Sequence, residues 1–386
     1  MGLFLNKIRA YYNQNKGAIN FSLLTFLVWR LALVIFSYFG SLRIINNALR
    51  EAPTSYHFLN PWIGFDSGHY LSIVNNWYKT AEQAAFFPLY PLLVKIIGLV
   101  VNNNYIAGLL VANIAFIIAL FILYKLLRLK FEEDFTRRVI FYLLIFPTAF
   151  FFGSMYSESL FLLLVVSSFY LIKKKSYLSA AVIISLAVLT RSIGIIIIPA
   201  LIWQLWRQHS QQTTLFNIKK VFSVFTLPIV SFVGWLVYLK NTYGDYFAFI
   251  NIQNTWPMQH REVGLISSFT NFYESTKSLF TLSAFTEEYA INLVDYGLFI
   301  LFLFFAIYIF FKMNKVYGLY MFLLLIPVFF SGSLVSVDRY VLVLFPAFIL
   351  LARWGKNIYV HQFVTILSLL MLGLFTALFA NGWWVG

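Results

Sequence analysis

Apolar runs long enough to cross a bilayer recur along the whole chain, from 21–40 to 360–380. About 17–25 residues of helix cross roughly 30 Å of hydrocarbon, and inside lipid every backbone polar group must be bonded within the protein. A chain made of such runs folds as membrane helices. Of its 386 residues, 61% are hydrophobic and only 11% are charged, against about 25% charged in an ordinary soluble domain. With no cysteine in the chain, a disulfide framework, a thiolate metal site and a cysteine nucleophile are all excluded. The expected fold class is an all-α polytopic membrane protein, a single integral domain over 1–386.

Topology is decided at 86–101. This block is short, opens on Phe-Phe-Pro-Leu-Tyr-Pro and contains Lys95. Counted as a crossing, it would place the basic residues at 125–138 and the Lys173-Lys174-Lys175 triplet outside. It is therefore read as an interfacial or re-entrant helix in a first external loop, 41–105. Spans then fall near 21–40, 106–127, 139–153, 159–172, 176–190, 193–206, 221–240, 290–311, 316–331, 340–353 and 360–380, about 11 transmembrane helices, with a second long external loop at 241–289. The cytoplasmic side then holds 18 Lys and Arg and the outside nine, out of 28 in the chain, as the positive-inside rule requires. The net charge of +14 is thereby spent on the anionic inner leaflet, and no nucleic-acid surface is needed. Arg30, near the middle of the first span, must face protein or water.

With this topology, polar residues at helix ends collect outside. The richest stretch is 65–78. Asp66, Tyr70, Ile73 and Trp77 share one helical face, as in an amphipathic helix lying at headgroup level, with the stiff aromatic run 86–91 close behind. Asp66 fits either a helix cap or a catalytic carboxylate. Glu158 fits a cap favoured by the helix dipole or a substrate contact. Arg191 fits snorkelling to headgroups or anion binding. Asp338-Arg339-Tyr340 fits a local ion pair or part of a site. There is no Gly-rich phosphate loop and no His-Glu-x-x-His; His57, His69, His209, His260 and His361 are scattered, so neither a nucleotide fold nor a metal site is expected. A substrate would arrive through the bilayer or from outside.

These motifs resemble those of the PIG-V-like mannosyltransferases, of the GT-C glycosyltransferase superfamily. Phe65-Asp66-Ser-Gly-His-Tyr70 followed by Phe86-Phe87-Pro88-Leu-Tyr90-Pro91 resembles their first luminal loop. Tyr156-Ser-Glu158-Ser-Leu-Phe161 is similar to a Tyr-Thr/Ser-Glu-Ser-Leu-Phe turn, Ala187-Val-Leu-Thr-Arg191-Ser-Ile-Gly194 to Ala-x-x-Thr-Arg-Ser-Asn-Gly, and Arg339-Tyr340 before Phe345-Pro346 to a late Arg-Tyr…Pro element. The chain departs at Phe65, where Trp is usual, at Trp77-Tyr78, where Gly-Tyr closes the helix, and at Ile193, where Asn is usual.

The resemblance implies a GT-C-like bundle with juxtamembrane helices in the first external loop. It also implies an inverting transfer of a hexose, mannose first, from a polyprenyl-phosphate-linked donor to a lipid or glycan acceptor. Asp66 would be the general base. Arg191 and Arg339 would face the leaving phosphate, Glu158 would orient a sugar hydroxyl or an arginine, and His69, Tyr70, Tyr90 and Tyr340 would line the pocket. Trp256, His260 and Arg261 in the second long loop would serve the acceptor. No cofactor is expected, although some superfamily members use a divalent metal. Membrane lipids would surround the chain, and nucleic acid would play no part. The expected setting is a bacterial cell membrane, with cytoplasmic N-terminus and external active site. The competing class is a membrane transporter or lipid flippase, against which the absence of a clear internal repeat counts.

Overall fold

In the computed structural model, which describes residues 2–43, 58–210, 218–255, 265–281, 287–331 and 334–385, every regular element among the described residues is helical. The α-helices are α1 (Gly2–Arg43), α2 (Asp66–Asn76), α3 (Leu89–Val101), α4 (Asn104–Arg128), α5 (Glu133–Leu144), α6 (Glu158–Lys173), α7 (Tyr177–Val188), α8 (Ile198–Ser210), α9 (Ile218–Tyr243), α10 (Ala248–Asn251), α11 (Leu265–Thr281), α12 (Glu287–Lys312), α13 (Lys315–Phe330), α14 (Val337–Val341), α15 (Phe345–Trp354) and α16 (Ile358–Ala380). Short 3₁₀ turns at Asn60–Trp62, Ala81–Ala85, Ala149–Gly153, Ser192–Ile197 and Ile252–Thr255 join them. Sequence sets several of the starts. Asn103, Asn314 and Asn357 cap α4, α13 and α16, each side-chain oxygen accepting two backbone N–H bonds that the first helical turn leaves open.

Among the described residues five helices are long and apolar enough to cross a membrane: Arg9–Leu42, Asn104–Arg128, Val224–Tyr243, Asn292–Lys312 and Ile358–Ala380. The other six expected crossings coincide with α5, α6, α7, α8, α13 and α15, of 10 to 16 residues. At 1.5 Å per residue these reach only about 15–24 Å. Length and composition therefore mark five crossings among the described residues, and the expected count of about eleven is not confirmed. The shortfall has a local cause. Among the described residues the chain leaves long helix at 145–157, at 189–197 and at 334–344, where only the short α14 is helical, and these three segments meet at one end of the bundle. Thr148 Oγ1 donates to the Asp338 carbonyl at 3.0 Å, and Glu158, directly after the first, Arg191 in the second and Arg339 in the third converge on one cluster. Irregular backbone survives at membrane depth where protein buries it or where it lines a cavity.

Both ends of α3 lie at the start of α4. The Leu89 N–H donates to the Leu189 carbonyl at 2.9 Å, and the Tyr90 hydroxyl donates to the Gly108 carbonyl at 3.0 Å. From Val101 the chain passes through Asn102, in left-handed conformation, straight into the Asn103 cap. With 13 residues, α3 is too short to cross. Its exposed Leu92, Ile96, Leu99 and Val100 make one apolar stripe, as an interfacial helix requires.

α6 separates two chemically different ends. Near its C-terminus, Lys173 donates to the Tyr317 hydroxyl at 3.0 Å, and Lys125 reaches both the Tyr170 ring, at 5.9 Å, and Asn15, at 2.9 Å. At its N-terminus, roughly 22 Å away by helix rise, stands Glu158. Arg30 is turned into protein, its guanidinium 3.9 Å from the Trp62 ring centroid.

Candidate active site

The first loop is stitched to the turn before α6. The Met155 N–H donates to the Trp62 carbonyl at 2.9 Å, Ser67 Oγ to the Met155 carbonyl at 3.1 Å, the Tyr156 hydroxyl to the Gly64 carbonyl at 3.1 Å, and the Tyr70 hydroxyl to Ser157 Oγ at 2.9 Å. These bonds bring Asp66 and Glu158, far apart in sequence, to the same place. Arg191 arrives from the break after α7. The Ser192–Ile197 turn lies so close to α7 that a Cβ on Gly194 would stand 2.3 Å from the Ala187 carbonyl oxygen, which gives the motif glycine a steric reason. Arg339 arrives on α14.

The four charged side chains form one network around Glu158. Its Oε1 accepts from Arg191 Nη1 at 2.5 Å and from Arg339 Nε at 2.8 Å, and Arg339 Nη2 stands in ion-pair contact with it at 2.8 Å. Arg339 Nη1 donates to Asp66 Oδ2 at 2.7 Å. Glu158 is fully buried, Arg339 nearly so, and the side chains of Arg191 and Asp66 keep 13% and 19% of their surface, so these two are the most exposed charges of the network. Tyr156 and Phe151 lie against the Arg339 guanidinium, at 4.7 and 5.4 Å, and Tyr340 against that of Arg191, at 5.2 Å. Burial alone would raise the Glu158 carboxyl, but Arg191 and Arg339 hold it below its ordinary value. Burial would lower the Arg339 guanidinium, and Asp66 and Glu158 reverse this, keeping it firmly protonated. Burial, reinforced by Glu158, raises the Tyr70 phenol, which stays a neutral donor.

The backbone is strained beside two of these residues. Phe65, directly before Asp66, has φ 52°, and Ser336, three before Arg339, has φ 70°. Such conformations cost of order 1–3 kcal/mol each in a side-chain-bearing residue and persist only where the surroundings enforce them.

The simpler readings of these residues are not what the structure contains. Neither Asp66 nor Glu158 occupies an N-cap, the caps being Phe65 and Ser157 without side-chain cap bonds. Arg191 is bonded to Glu158 instead of reaching for headgroups. Arg339 pairs with Asp66 and Glu158, while the adjacent Asp338 is fully buried with both carboxylate oxygens lacking hydrogen-bond partners.

Asp66, Arg191, Arg339, Tyr340 and Tyr70 line a cleft that is partly open to solvent. Ala85, Phe86, Phe87, Ser157, Thr190, Ser192, Gln253, Ser336 and Trp384 complete its wall. Glu158 lies beneath the arginines, outside the lining. Tyr90 is wholly buried with its hydroxyl committed to Gly108, so it supports the wall through its edge contact with Tyr70 at 4.7 Å. His69 stacks on Phe86, centroids 4.8 Å apart, and also stands behind the lining. Trp256, His260 and Arg261 lie outside the described residues. Among the described residues no three His, Asp or Glu side chains are grouped to hold a metal ion.

Sequence reasoning missed Gln253 and Trp384, and it gave no role to Ser192 although it lies inside the Thr-Arg-Ser motif. Gln253 carries no pattern. The Trp383-Trp384 pair just beyond the last apolar run was a visible signal, but it is equally the signature of an interfacial anchor.

The family model described as mannosyltransferase (PIG-V) matches residues 16–270. Asp66, Glu158 and Arg191 fall within that stretch, and Arg339 beyond it. A search of the curated proteins returned no match. Among solved structures, the oligosaccharyltransferase of Archaeoglobus fulgidus in its apo form is similar at 14% identity with a TM-score of 0.45, covering 93% of this chain and 56% of that one. The archaeal oligosaccharyltransferase AglB from the same organism, in complex with an inhibitory peptide and a dolichol-phosphate, is similar at 15% identity and a TM-score of 0.42, covering 92% and 55%. The chain thus spans a little over half the length of these structures.

Proposed function

Because the chain belongs to the PIG-V mannosyltransferase family, we propose that it is an inverting GT-C glycosyltransferase. It moves a hexose, mannose first, from a polyprenyl-phosphate donor to a hydroxyl of a lipid or glycan acceptor. The observation that carries this reading is the neutral four-residue network, in which an acid and an arginine with cleft-facing surface share one pocket.

In the proposed reaction the acceptor oxygen attacks the anomeric carbon while its proton passes to the Asp66 carboxylate. The bond from that carbon to the phosphate oxygen breaks, and the electron pair leaves on the polyprenyl phosphate. The leaving group needs no proton; it needs positive charge aimed at it, which suits a guanidinium. Arg191 spends one Nη on Glu158 and has surface in the cleft, so it is the first contact for the phosphate. Arg339 is the electrostatic hub, holding Asp66 in place. Glu158 orients both arginines and does not touch sugar. The donor carries its own activated leaving group, so the reaction draws on the chain's own side chains. The separation of the cluster from the basic end along α6 supports an external active site with a cytoplasmic N-terminus; the proposed setting is a bacterial cell membrane.

The test is transfer of radiolabelled mannose from polyprenyl-phosphate-mannose by purified wild type and Asp66→Asn. Loss of a general base lowers turnover about 10²–10⁴-fold, with the melting temperature nearly unchanged because Asp66 makes one partly exposed ion pair. Near-normal turnover in Asp66→Asn removes it from the mechanism. Uptake of sugar into vesicles with no transfer would replace the enzyme with a transporter.

A further inference from the structure

We propose that Trp384 is the stacking platform for the donor hexose. The proposal rests on the transferase reading above and adds to it the subsite that holds the sugar ring.

Trp384 reaches the cleft by a defined path. α16 ends at Ala380, and Gly382, with φ 84°, turns the chain back. The Gly382 N–H donates to the Phe379 carbonyl and the Trp383 N–H to the Leu378 carbonyl, both at 3.1 Å. This is a Schellman turn, the left-handed helix stop that favours glycine. Phe379 pins the end of α16 under the site, its ring 5.6 Å from Phe65 and 5.4 Å from Phe151. Trp384 then packs edge-to-face on Phe65 at 4.8 Å and remains half-buried in the cleft wall.

The indole belongs to the aromatic part of the cleft wall, with Phe86, Phe87, Tyr70 and Tyr340, and faces a polar part. The walls nearest the charged network carry hydroxyls, from Ser157, Thr190, Ser192 and Ser336, together with Asp66 and the arginines. A ligand for such a pocket needs one apolar face and a polar rim, and a hexopyranose has both, with C–H bonds on a face and hydroxyls around the edge. An isoprenoid chain would leave the hydroxyls unanswered, and a bare phosphate would leave the indole so. Aromatic side chains suit such a task, offering a large rigid apolar face with one polar tip. The placement also fits the reaction. The anomeric carbon must lie between the phosphate at Arg191 and the carboxylate of Asp66, and Phe65, against which Trp384 rests, is the residue directly before Asp66.

The experiment compares Trp384→Ala and Trp384→Phe with wild type in equilibrium binding of two probes, polyprenyl-phosphate-mannose and sugar-free polyprenyl phosphate. A platform under the sugar predicts about tenfold weaker binding of the mannosylated probe in Trp384→Ala, equivalent to about 1.4 kcal/mol. It also predicts unchanged binding of polyprenyl phosphate, substantial retention in Trp384→Phe, and a rise in donor KM exceeding any fall in kcat. Equal weakening for both probes, or no weakening for either, overturns it, as does an effect confined to the KM of the acceptor. Failure of the wild type to bind the mannosylated probe more tightly than the bare phosphate, together with no transfer, overturns the transferase reading itself.

Discussion

Replacing Glu158 by Gln should destabilise the protein more than any other single change in the cleft. One oxygen, Oε1, takes an N–H bond from each of two guanidinium groups and a further ion-pair contact from Arg339, while Oε2 is buried with no partner. Glutamine keeps a carbonyl acceptor but removes the charge, so the network passes from neutral to a net charge of about +1 with two buried guanidinium groups sharing Asp66 alone. Breaking a buried ion pair by removing one partner costs about 3–5 kcal/mol. With an unfolding entropy of about 2.1 cal/mol/K per residue, a chain of 386 residues should lose about 5 °C in melting temperature. The assay is thermal unfolding in detergent of wild type, Glu158→Gln, Arg191→Gln and the double variant. The two single effects should fail to add, because the second removes a charge that the first left unpaired. The pH dependence has a definite sign. Arg191 and Arg339 overcome burial and lower the Glu158 carboxyl from 4.5. Its stabilisation is therefore complete above that value and lost as pH falls through the lowered one. The gap between wild type and Glu158→Gln should be flat through neutrality and close only in acid. A Glu158→Gln protein that melts within a degree of wild type at pH 7 would refute the reasoning.

Asp338 should behave in the opposite way. Burial, opposed by Arg339, pushes its carboxyl up to about 8. The folded protein then holds a proton that the unfolded chain releases near 3.8, so this group favours folding at low pH and loses that contribution as pH rises to about 8. Asp338→Asn should flatten the decline and melt higher than wild type at pH 9; parallel melting curves across pH 5–9 would show that the carboxyl is ionised throughout. Two glycines in the recognised motifs should respond differently to alanine. At Gly194 the new Cβ meets the Ala187 carbonyl oxygen at 2.3 Å, and at Gly68, inside α2, it meets nothing within 4 Å. Gly194→Ala should lower folded yield and turnover together, whereas Gly68→Ala should raise the melting temperature by an amount corresponding to about 0.5–1 kcal/mol. Equal responses would mean that the turn at 192–197 is free to move away from α7.

Much of the site was legible because lipid leaves little choice: charged residues at helix ends must gather where water or protein receives them. That rule, with the positive-inside rule, placed Asp66, Glu158, Arg191 and Arg339 on one side, and the structure joins them in one network. What the residues do within it was less visible. Glu158 is chemically able to hold a sugar hydroxyl, and only its burial beneath two arginines shows that it serves them. Tyr90 follows Phe86 and Phe87 in an aromatic run, yet helix phase turns it to Gly108 and away from the cleft. The number of crossings could not be read either. Hydropathy marks apolar stretches, but the breaks at 145–157, 189–197 and 334–344 divide them into helices too short to span alone.

The network spans the chain as well as the cleft. Arg339 stands 273 residues after Asp66 and 181 after Glu158. During synthesis both acids are therefore made long before the cation that joins them, and until it emerges they share only Arg191. The segment carrying Asp66 cannot settle into its final state until the chain has been made through 339, and a chain halted before that point leaves a surplus anion at the heart of an unfinished bundle. Assembly of this centre therefore waits for α14 and is completed after the two acids it neutralises.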